Sequence, residues 1–234
     1  MKWMCLRMTK KALFIGFADC ENSLKAFDFL NVCGYDTTPV WTEQKRGARL
    51  PIHVKEWSGD YIFHLKSYCI LRKRLLDRAS EASINFHPCP PAYPGAGGVN
   101  WTLYNGDKDT GVTVHYMNEK VDNGEIIKVY KLPVYENDNI ASLMSRIENK
   151  QLEAFYDIVG NLSRYGKKYL DNLSLQSSNQ KWGDHVGRMR EIDQLEFFDR
   201  TISKEELERL IRATHIGRFG PKIKIHGYTF QYKG

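Results

Sequence analysis

An unbroken apolar run, Leu13-Phe14-Ile15-Gly16-Phe17, follows Lys10 and Lys11 near the start of the chain. A run of this length without alternation predicts a strand buried on both faces, as in a parallel sheet. Apolar residues then recur at Leu24, Phe27, Leu30 and Val32, close to the helical period, which predicts a helix over residues 23–32 ended by Gly34. Residues 37–41 read as a second strand, 43–51 as a charged loop and 60–65 as a third strand. Residues 70–79 read as a basic amphipathic helix and 83–86 as a fourth strand. This alternation predicts an α/β fold with a mostly parallel sheet and helices on both faces. Such sheets take their ligands at the carboxyl ends of the strands.

After Phe86 the pattern changes. Pro88, Pro90, Pro91 and Pro94 stiffen a loop, and Gly95, Gly97 and Gly98 loosen its end. A short helix starts over 99–104. Strands are predicted at 112–117 and 125–134 around a loop at 118–124, and a long helix at 140–162. Residues 172–180 are polar and rich in Ser and Asn, as a linker would be. Beyond them, Ser203 and Glu206 form a capping box and Ile202 can staple to Leu207, which predicts a helix over 204–213. Residues 222–225 and 228–232 flank His226-Gly227 as a β-hairpin. The expected organisation is a core over 1–171 with 1–9 as a possible leader, a linker over 172–182, and a small helix/hairpin unit over 183–234 able to pair subunits.

Composition narrows the function classes. Hydrophobic residues make up 42% and charged residues 26% of 234, as in an ordinary globular protein. The net charge of +6 suits an anionic ligand or RNA, and is equally an ordinary surface excess. The five cysteines show no CxxC spacing and no His/Cys cluster, so no metal site is expected. Their odd count argues against a disulfide framework and for a reducing cytoplasm. No stretch is long enough to span a membrane. Residues 12–18 before Cys20 mimic an export signal, but the run is short and Asp19 stands where a small residue is needed. Met8 is an alternative start.

The sharpest chemistry lies in Ile84-Asn85-Phe86-His87-Pro88. Side chains alternate along a strand, so Asn85 and His87 point to one face and Phe86 to the other. Pro88 ends the strand. An amide and an imidazole thus stand side by side at a strand end. Alone, a histidine there is more often structural than catalytic. His115 reads as a packed strand residue. Tyr93 and Trp101 suit either an acceptor pocket or core packing. Lys66, Arg72, Lys73 and Arg74 suit phosphate or carboxylate contacts, with a solvated face the stronger reading. Gly16-Phe17-Ala18-Asp19 is no dinucleotide fingerprint.

Further segments follow in order: Pro91-Ala92-Tyr93-Pro94-Gly95, Asn105-Gly106-Asp107, Thr110-Gly111-Val112-Thr113 and Val121-Asp122-Asn123-Gly124-Glu125-Ile126-Ile127. Together with Asn85-Phe86-His87-Pro88 they resemble the folate-dependent formyltransferase superfamily, tightly over 83–127 and more loosely over 13–82. The superfamily includes glycinamide ribonucleotide, methionyl-tRNA and sugar N-formyltransferases. The resemblance implies a Rossmann-like core and a catalytic set at Asn85, His87 and Asp122. It implies N10-formyltetrahydrofolate as co-substrate. Its pterin cleft would pass Tyr68, Cys69, Ile70 and Leu71 and the loop carrying Asn118, Lys120 and Val121, with Tyr93, Gly95 and Trp101 on the acceptor side. On local sequence alone Asp122 is a turn residue before Gly124.

The tail orders the acceptors that the resemblance allows. A helix and a hairpin replace the large RNA-binding domain of the methionyl-tRNA enzymes, so no nucleic-acid partner is expected. Phe17-Ala18-Asp19-Cys20 departs from the phosphate loop of the glycinamide ribonucleotide enzymes. A core followed by a short helix and hairpin is similar to the sugar N-formyltransferases. The expected acceptor is a nucleotide-linked amino sugar, dTDP-4-amino-4,6-dideoxyglucose first and GDP-perosamine second, for surface polysaccharide, with a homodimer as the working form. A formyltetrahydrofolate hydrolase or a non-catalytic binding protein are the readings from other classes.

Overall fold

The computed structural model describes residues 9–45 and 47–234; the expected leader over 1–9 lies outside these, Thr9 excepted. Strand β1 (Lys11–Phe17) is buried from Ala12 onward and sits between β2 (Asp36–Thr42) and β3 (Gly59–His64), parallel to both. Next comes β4 (Ala79–His87), parallel to β3. Strands β5 (Asp109–Tyr116) and β6 (Ile126–Pro133) run antiparallel at that edge. The sheet order is β2-β1-β3-β4-β5-β6. The mixed α/β architecture with a mostly parallel sheet agrees with the sequence pattern.

Helices fill one face of this sheet. Helix α1 (Glu21–Val32) contributes Ala26 and Leu30 to a core that holds Phe14, Phe63 and Phe86. The 26-residue α4 (Ile140–Tyr165) lays Leu143, Ile147, Phe155, Ile158 and Leu162 against it. Phe155 packs edge-on or tilted against Phe14, Phe63 and Phe86 at 4.9–5.9 Å. The Asn139 side chain caps α4 by accepting from Ala141 and Ser142 N–H groups. The other face departs from the expectation of helices on both sides. Leu13, Ile15, Val40 and Ile62 are covered there by a 3₁₀ turn (Ile52–Glu56) and by Leu71 and Leu75.

The helix expected over 70–79 shrinks to the single turn α2 (Lys73–Leu76). Residues 68–71 are extended instead, with Cys69 and Leu71 buried and Tyr68 and Ile70 exposed. Leu75 follows Leu71 by four positions, which fits a helical face as well as the strand-like alternation that forms. The fourth strand, conversely, begins at Ala79.

Helix α3 (Gly98–Asn105) follows the Pro/Gly loop. The expected linker is helical through Gln176: α5 (Lys167–Gln176) packs against β6, and Ser174 and Ser177 donate to the carbonyls of Ile126 and Ile127. These serines serve the exposed side of an edge strand, which would otherwise leave buried carbonyls without donors. Then come α6 (Met189–Leu195), β7 (Phe197–Phe198), α7 (Lys204–Thr214) and the hairpin β8 (Lys222–Ile225) and β9 (Tyr228–Gln231). His226 and Gly227 both take positive φ in the hairpin turn. Ser203 caps α7 through the Glu206 N–H, but the Glu206 carboxylate completes no capping box; it accepts from the Tyr104 hydroxyl on α3. With Asn100 donating to Ala213 O and Arg212 to the carbonyls of Tyr135 and Asp138, α7 is docked on the core.

Candidate active site

The carboxyl end of β4 carries Asn85 and His87 on one face, as the strand period requires. Phe86 points into the aromatic core, 1% exposed. Asp122 reaches this strand end from the loop between β5 and β6, with φ at 41°, in the left-handed region. Two groups hold it there. Its Oδ2 accepts the Gly95 backbone N–H at 2.8 Å, and its Oδ1 accepts from Asn85 Nδ2 at 3.2 Å. Two residues on, Gly124 has no room for a Cβ, which would lie 1.7 Å from the Tyr116 carbonyl oxygen. The turn thus requires its glycine, and the turn delivers the aspartate.

His87 lies between two acceptors. Its Nε2 donates to the Tyr93 carbonyl oxygen at 2.9 Å, and its Nδ1 faces Asp122 Oδ2 at 3.2 Å. Burial pushes the His87 ring below its ordinary value, against the pull of Asp122. Burial works the other way on Asp122, but His87, His115 and the Gly95 N–H outweigh it and hold the carboxyl down at about 2. A buried carboxylate is thereby kept ionised beside an imidazole that loses its second proton readily, an arrangement suited to moving a proton.

Two further histidines join the network. His115, opposite Asn85 in the β4–β5 ladder, puts Nε2 3.0 Å from Asn85 Nδ2 and 3.3 Å from Asp122 Oδ1. Its Nδ1 donates to the Tyr116 carbonyl at 2.8 Å. His64, at the end of β3, places Nδ1 2.9 Å from Asn85 Oδ1 and Nε2 3.2 Å from the Cys69 carbonyl oxygen. The sequence alone casts His115 as a packed strand residue and gives no local sign of His64. Cross-strand register with Asn85 is the signal that finds both, because His64 and His115 are its partners on either side.

Trp182, inside the expected linker, closes the site from outside. Its ring meets His115 at 4.9 Å and His87 at 5.8 Å, both edge-on, and its Nε1–H donates to the Gly124 carbonyl at 2.7 Å. The strand-like stretch that follows is laced to the Pro/Gly loop: Gly183 N–H to Pro91 O, Gly187 N–H to Pro94 O and Ala96 N–H to Gly187 O, at 2.8–2.9 Å.

The remaining sequence candidates divide. Gly95 reaches the site through its N–H, and Tyr93 through its carbonyl. The Tyr93 hydroxyl is turned away, bonded to Asp107 and Asn105. Trp101 packs edge-on against Tyr104 at 5.7 Å. Tyr68 and Ile70 expose 50% and 61% of their surface and Val121 39%, whereas the side chains of Cys69 and Leu71 are buried. Asn118 accepts the Lys120 N–H within its own loop. Lys66 pairs with Glu148 at 2.8 Å, Arg74 with Glu56 and Lys73 with Asp77, so these three cations are already engaged. Among the described residues no His/Cys/Asp/Glu group is placed to hold a metal, and no helix is long and apolar enough to cross a membrane.

A formyl transferase family model matches residues 35–159, more than half of the chain and all of the strands that carry this network. The chain belongs to the formyl transferase family. Among curated proteins, this family member is 27% identical over 184 residues to methionyl-tRNA formyltransferase of Ehrlichia ruminantium (strain Welgevonden), covering 76% of the chain and 57% of that protein. It is also 27% identical over 175 residues to GDP-perosamine N-formyltransferase of Brucella melitensis, covering 73% and 63%. The chain thus spans about three-fifths of the length of these relatives. A sugar N-formyltransferase from Shewanella sp. shares the fold over 96% of both chains, with a TM-score of 0.67 at 17% identity. The formyltransferase PseJ from Anoxybacillus kamchatkensis, solved with UDP-4,6-dideoxy-4-formamido-L-AltNAc and tetrahydrofolate, matches 67% of this chain and 78% of its own. Its TM-score is 0.52 at 26% identity.

Proposed function

We propose that this formyl transferase family member moves a formyl group from N10-formyltetrahydrofolate to the amine of a nucleotide-linked amino sugar. The observation that carries the reading is the meeting of Asn85, His87 and Asp122 at one strand end, with Asn85 Nδ2 3.2 Å from Asp122 and His87 3.2 Å from the same carboxylate. Transfer of a formyl group to an amine builds negative charge on the formyl oxygen and leaves a proton on the attacking nitrogen. Asn85 Nδ2 bonds to His115 Nε2 and, at the longer distance of 3.2 Å, to Asp122 Oδ1; turning that second N–H from Asp122 to the formyl oxygen supplies a neutral donor there. The proton of the attacking amine can pass through the Asp122 carboxylate to His87 Nδ1, which faces it at 3.2 Å, and return to the folate nitrogen as its bond to the formyl carbon breaks; the ionised Asp122 stabilises the imidazolium in between. Trp182 keeps water from that side of the imidazole. A reduced folate, when bound, supplies the formyl group. Tyr68 and Ile70, exposed on either side of Cys69, and Val121, next to Asp122 in the chain, offer apolar surface that suits the flat face of a pterin.

The sugar acceptor is favoured by PseJ, whose complex holds both a formamido sugar nucleotide and tetrahydrofolate. The Shewanella sugar N-formyltransferase adds a fold match that runs through the C-terminal unit. Within that class, dTDP-4-amino-4,6-dideoxyglucose is the first candidate, with GDP-perosamine close behind on the likeness to the Brucella protein. Methionyl-tRNA is the second reading, supported by an equal identity to the Ehrlichia enzyme. The exposed aromatic residues Tyr228 and Phe230 on the hairpin favour a homodimer. The free cysteines 20, 33, 69 and 89 suit a reducing cytoplasm. Incubation with N10-formyltetrahydrofolate and a panel of dTDP-, UDP- and GDP-linked amino sugars, followed by mass spectrometry, should give a 28-Da adduct on one of them. Formylation of charged initiator tRNA with every sugar untouched would replace the sugar reading. Formate release without any acceptor would point to a hydrolase.

A further inference from the structure

Asn85 serves as a donor only in one of its two amide orientations, and nothing in its own chemistry chooses between them. The choice is made by its neighbours. On one side, His115 Nδ1–H donates to the Tyr116 carbonyl, so the Nε2 of a neutral ring is an acceptor that calls for an N–H from Asn85. Asp122 Oδ1 calls for a second. Both of these pull Nδ2 towards β5 and leave Oδ1 pointing at β3. There the amide oxygen meets His64 Nδ1 at 2.9 Å. His64 is 7% exposed, so no water can take its place freely.

We propose that His64 is a positioning residue that locks the Asn85 amide in its donor orientation. The other ring nitrogen, Nε2, lies 3.2 Å from the Cys69 carbonyl oxygen. Cys69 lies between the exposed Tyr68 and Ile70, proposed above to face the folate. A ring with one proton can donate to Asn85 or to Cys69, not to both; the shorter contact gives the proton to Asn85. His64 Nδ1–H therefore holds the Asn85 oxygen, and Nε2, left without a proton, only packs against the Cys69 carbonyl. This rests on the formyl-transfer reading for its consequence in turnover, and on geometry alone for the amide orientation.

Two isosteric substitutions separate the arms, because an Asn amide overlays Nδ1 of histidine and a Gln amide overlays Nε2. His64→Asn keeps the group facing Asn85; His64→Gln keeps the group facing Cys69. His64→Gln is expected to lower kcat about ten- to a hundredfold, as a misplaced reacting group does, while KM for the formyl donor changes less than threefold. His64→Asn should keep at least a third of the turnover. Thermal unfolding of both variants checks that the fold survives. Independently of any acceptor, the side-chain amide of Asn85, assigned by its loss in Asn85→Asp, should give two sharp, slowly exchanging ¹⁵N-correlated signals in the native protein and in His64→Asn. In His64→Gln they should broaden or exchange at least tenfold faster. Equal turnover and equal amide signals in His64→Gln and the native protein would overturn the proposal. So would equal losses in both variants. Absence of formyl transfer by the native protein, with the amide signals behaving as stated, would overturn the functional reading and leave the positioning role standing.

Discussion

The backbone N–H of Gly95 donates to the carboxylate of Asp122 at 2.8 Å, joining the Pro/Gly loop to the loop between β5 and β6 across the candidate site. Gly95 holds φ at +88°, and a Cβ there would fall 2.4 Å from the Gly187 carbonyl oxygen. Gly95→Ala is therefore expected to cost about 1–3 kcal/mol through strain and displaced backbone. Urea unfolding would show it as a lowered midpoint with an unchanged slope. Formyl transfer should fall with it, because Asp122 loses one of the two donors that hold it.

Removing the catalytic candidates gives a sharper expectation. Loss of one donor to a developing oxyanion costs about 3–4 kcal/mol, and acid–base help is worth roughly 10²–10⁴ in rate. Asn85→Ala and His87→Ala should each lower turnover at least a hundredfold while circular dichroism stays native. Turnover within a factor of ten in either variant would remove that residue from the catalytic set.

Acid sensitivity follows from the same groups. The Asp122 carboxyl is lowered from 3.8 to about 2 in the folded protein. Its stabilisation is fully present above pH 4 and is lost as pH falls towards 2. With the carboxylate some nine-tenths buried, this amounts to about 2 kcal/mol. His64 and His87 are lowered by burial, so both take up protons more readily when unfolded, and their contribution starts to fall below pH 6.5. A plot of Tm against pH should bend downwards first near pH 6.5 and again near pH 4. Asp122→Asn should flatten only the lower arm; a plot that keeps both arms in that variant would contradict the assignment.

Trp182 provides a test of the site's closure. Trp182→Ala deletes the 2.7 Å bond to Gly124 O and the ring faces beside His87 and His115. For this half-buried ring the expected loss is about 2–4 kcal/mol. Hydrogen exchange of the 118–126 loop should accelerate in the variant, and unchanged exchange would show that the ring is not what holds the loop.

What could be read from the chain depended on whether the cause was local. Asn85 and His87 were visible because strand alternation alone aligns them, and the hairpin turn because His226-Gly227 admits positive φ. Asp122 was visible only as part of a longer motif, since its position is set by Gly95 and Gly124 together. His64 and His115 needed the register of β3, β4 and β5, a long-range property. The helix expected over 70–79 failed because burial of Cys69 and Leu71 follows a two-residue period that Leu71 and Leu75 disguise. Residues 172–176 of the linker expected over 172–182 are helical, and Ser174 and Ser177, polar in sequence, donate to the carbonyls of β6.

The glycine-to-carbonyl stitching of residues 183–187 to residues 91–96 also bears on how this chain could be re-engineered. A Cβ at Gly183 would lie 2.4 Å from Ala92 O, and one at Gly187 2.5 Å from Ala96 O. The seam between core and tail is therefore written in backbone on both sides, and it runs past the indole that shields the histidines. A chimera that exchanges tails between relatives must place its junction after residue 188, within the donor of the core. Cutting at the polar stretch near residue 180, where the sequence invites it, would import a foreign wall for the candidate site along with the foreign tail.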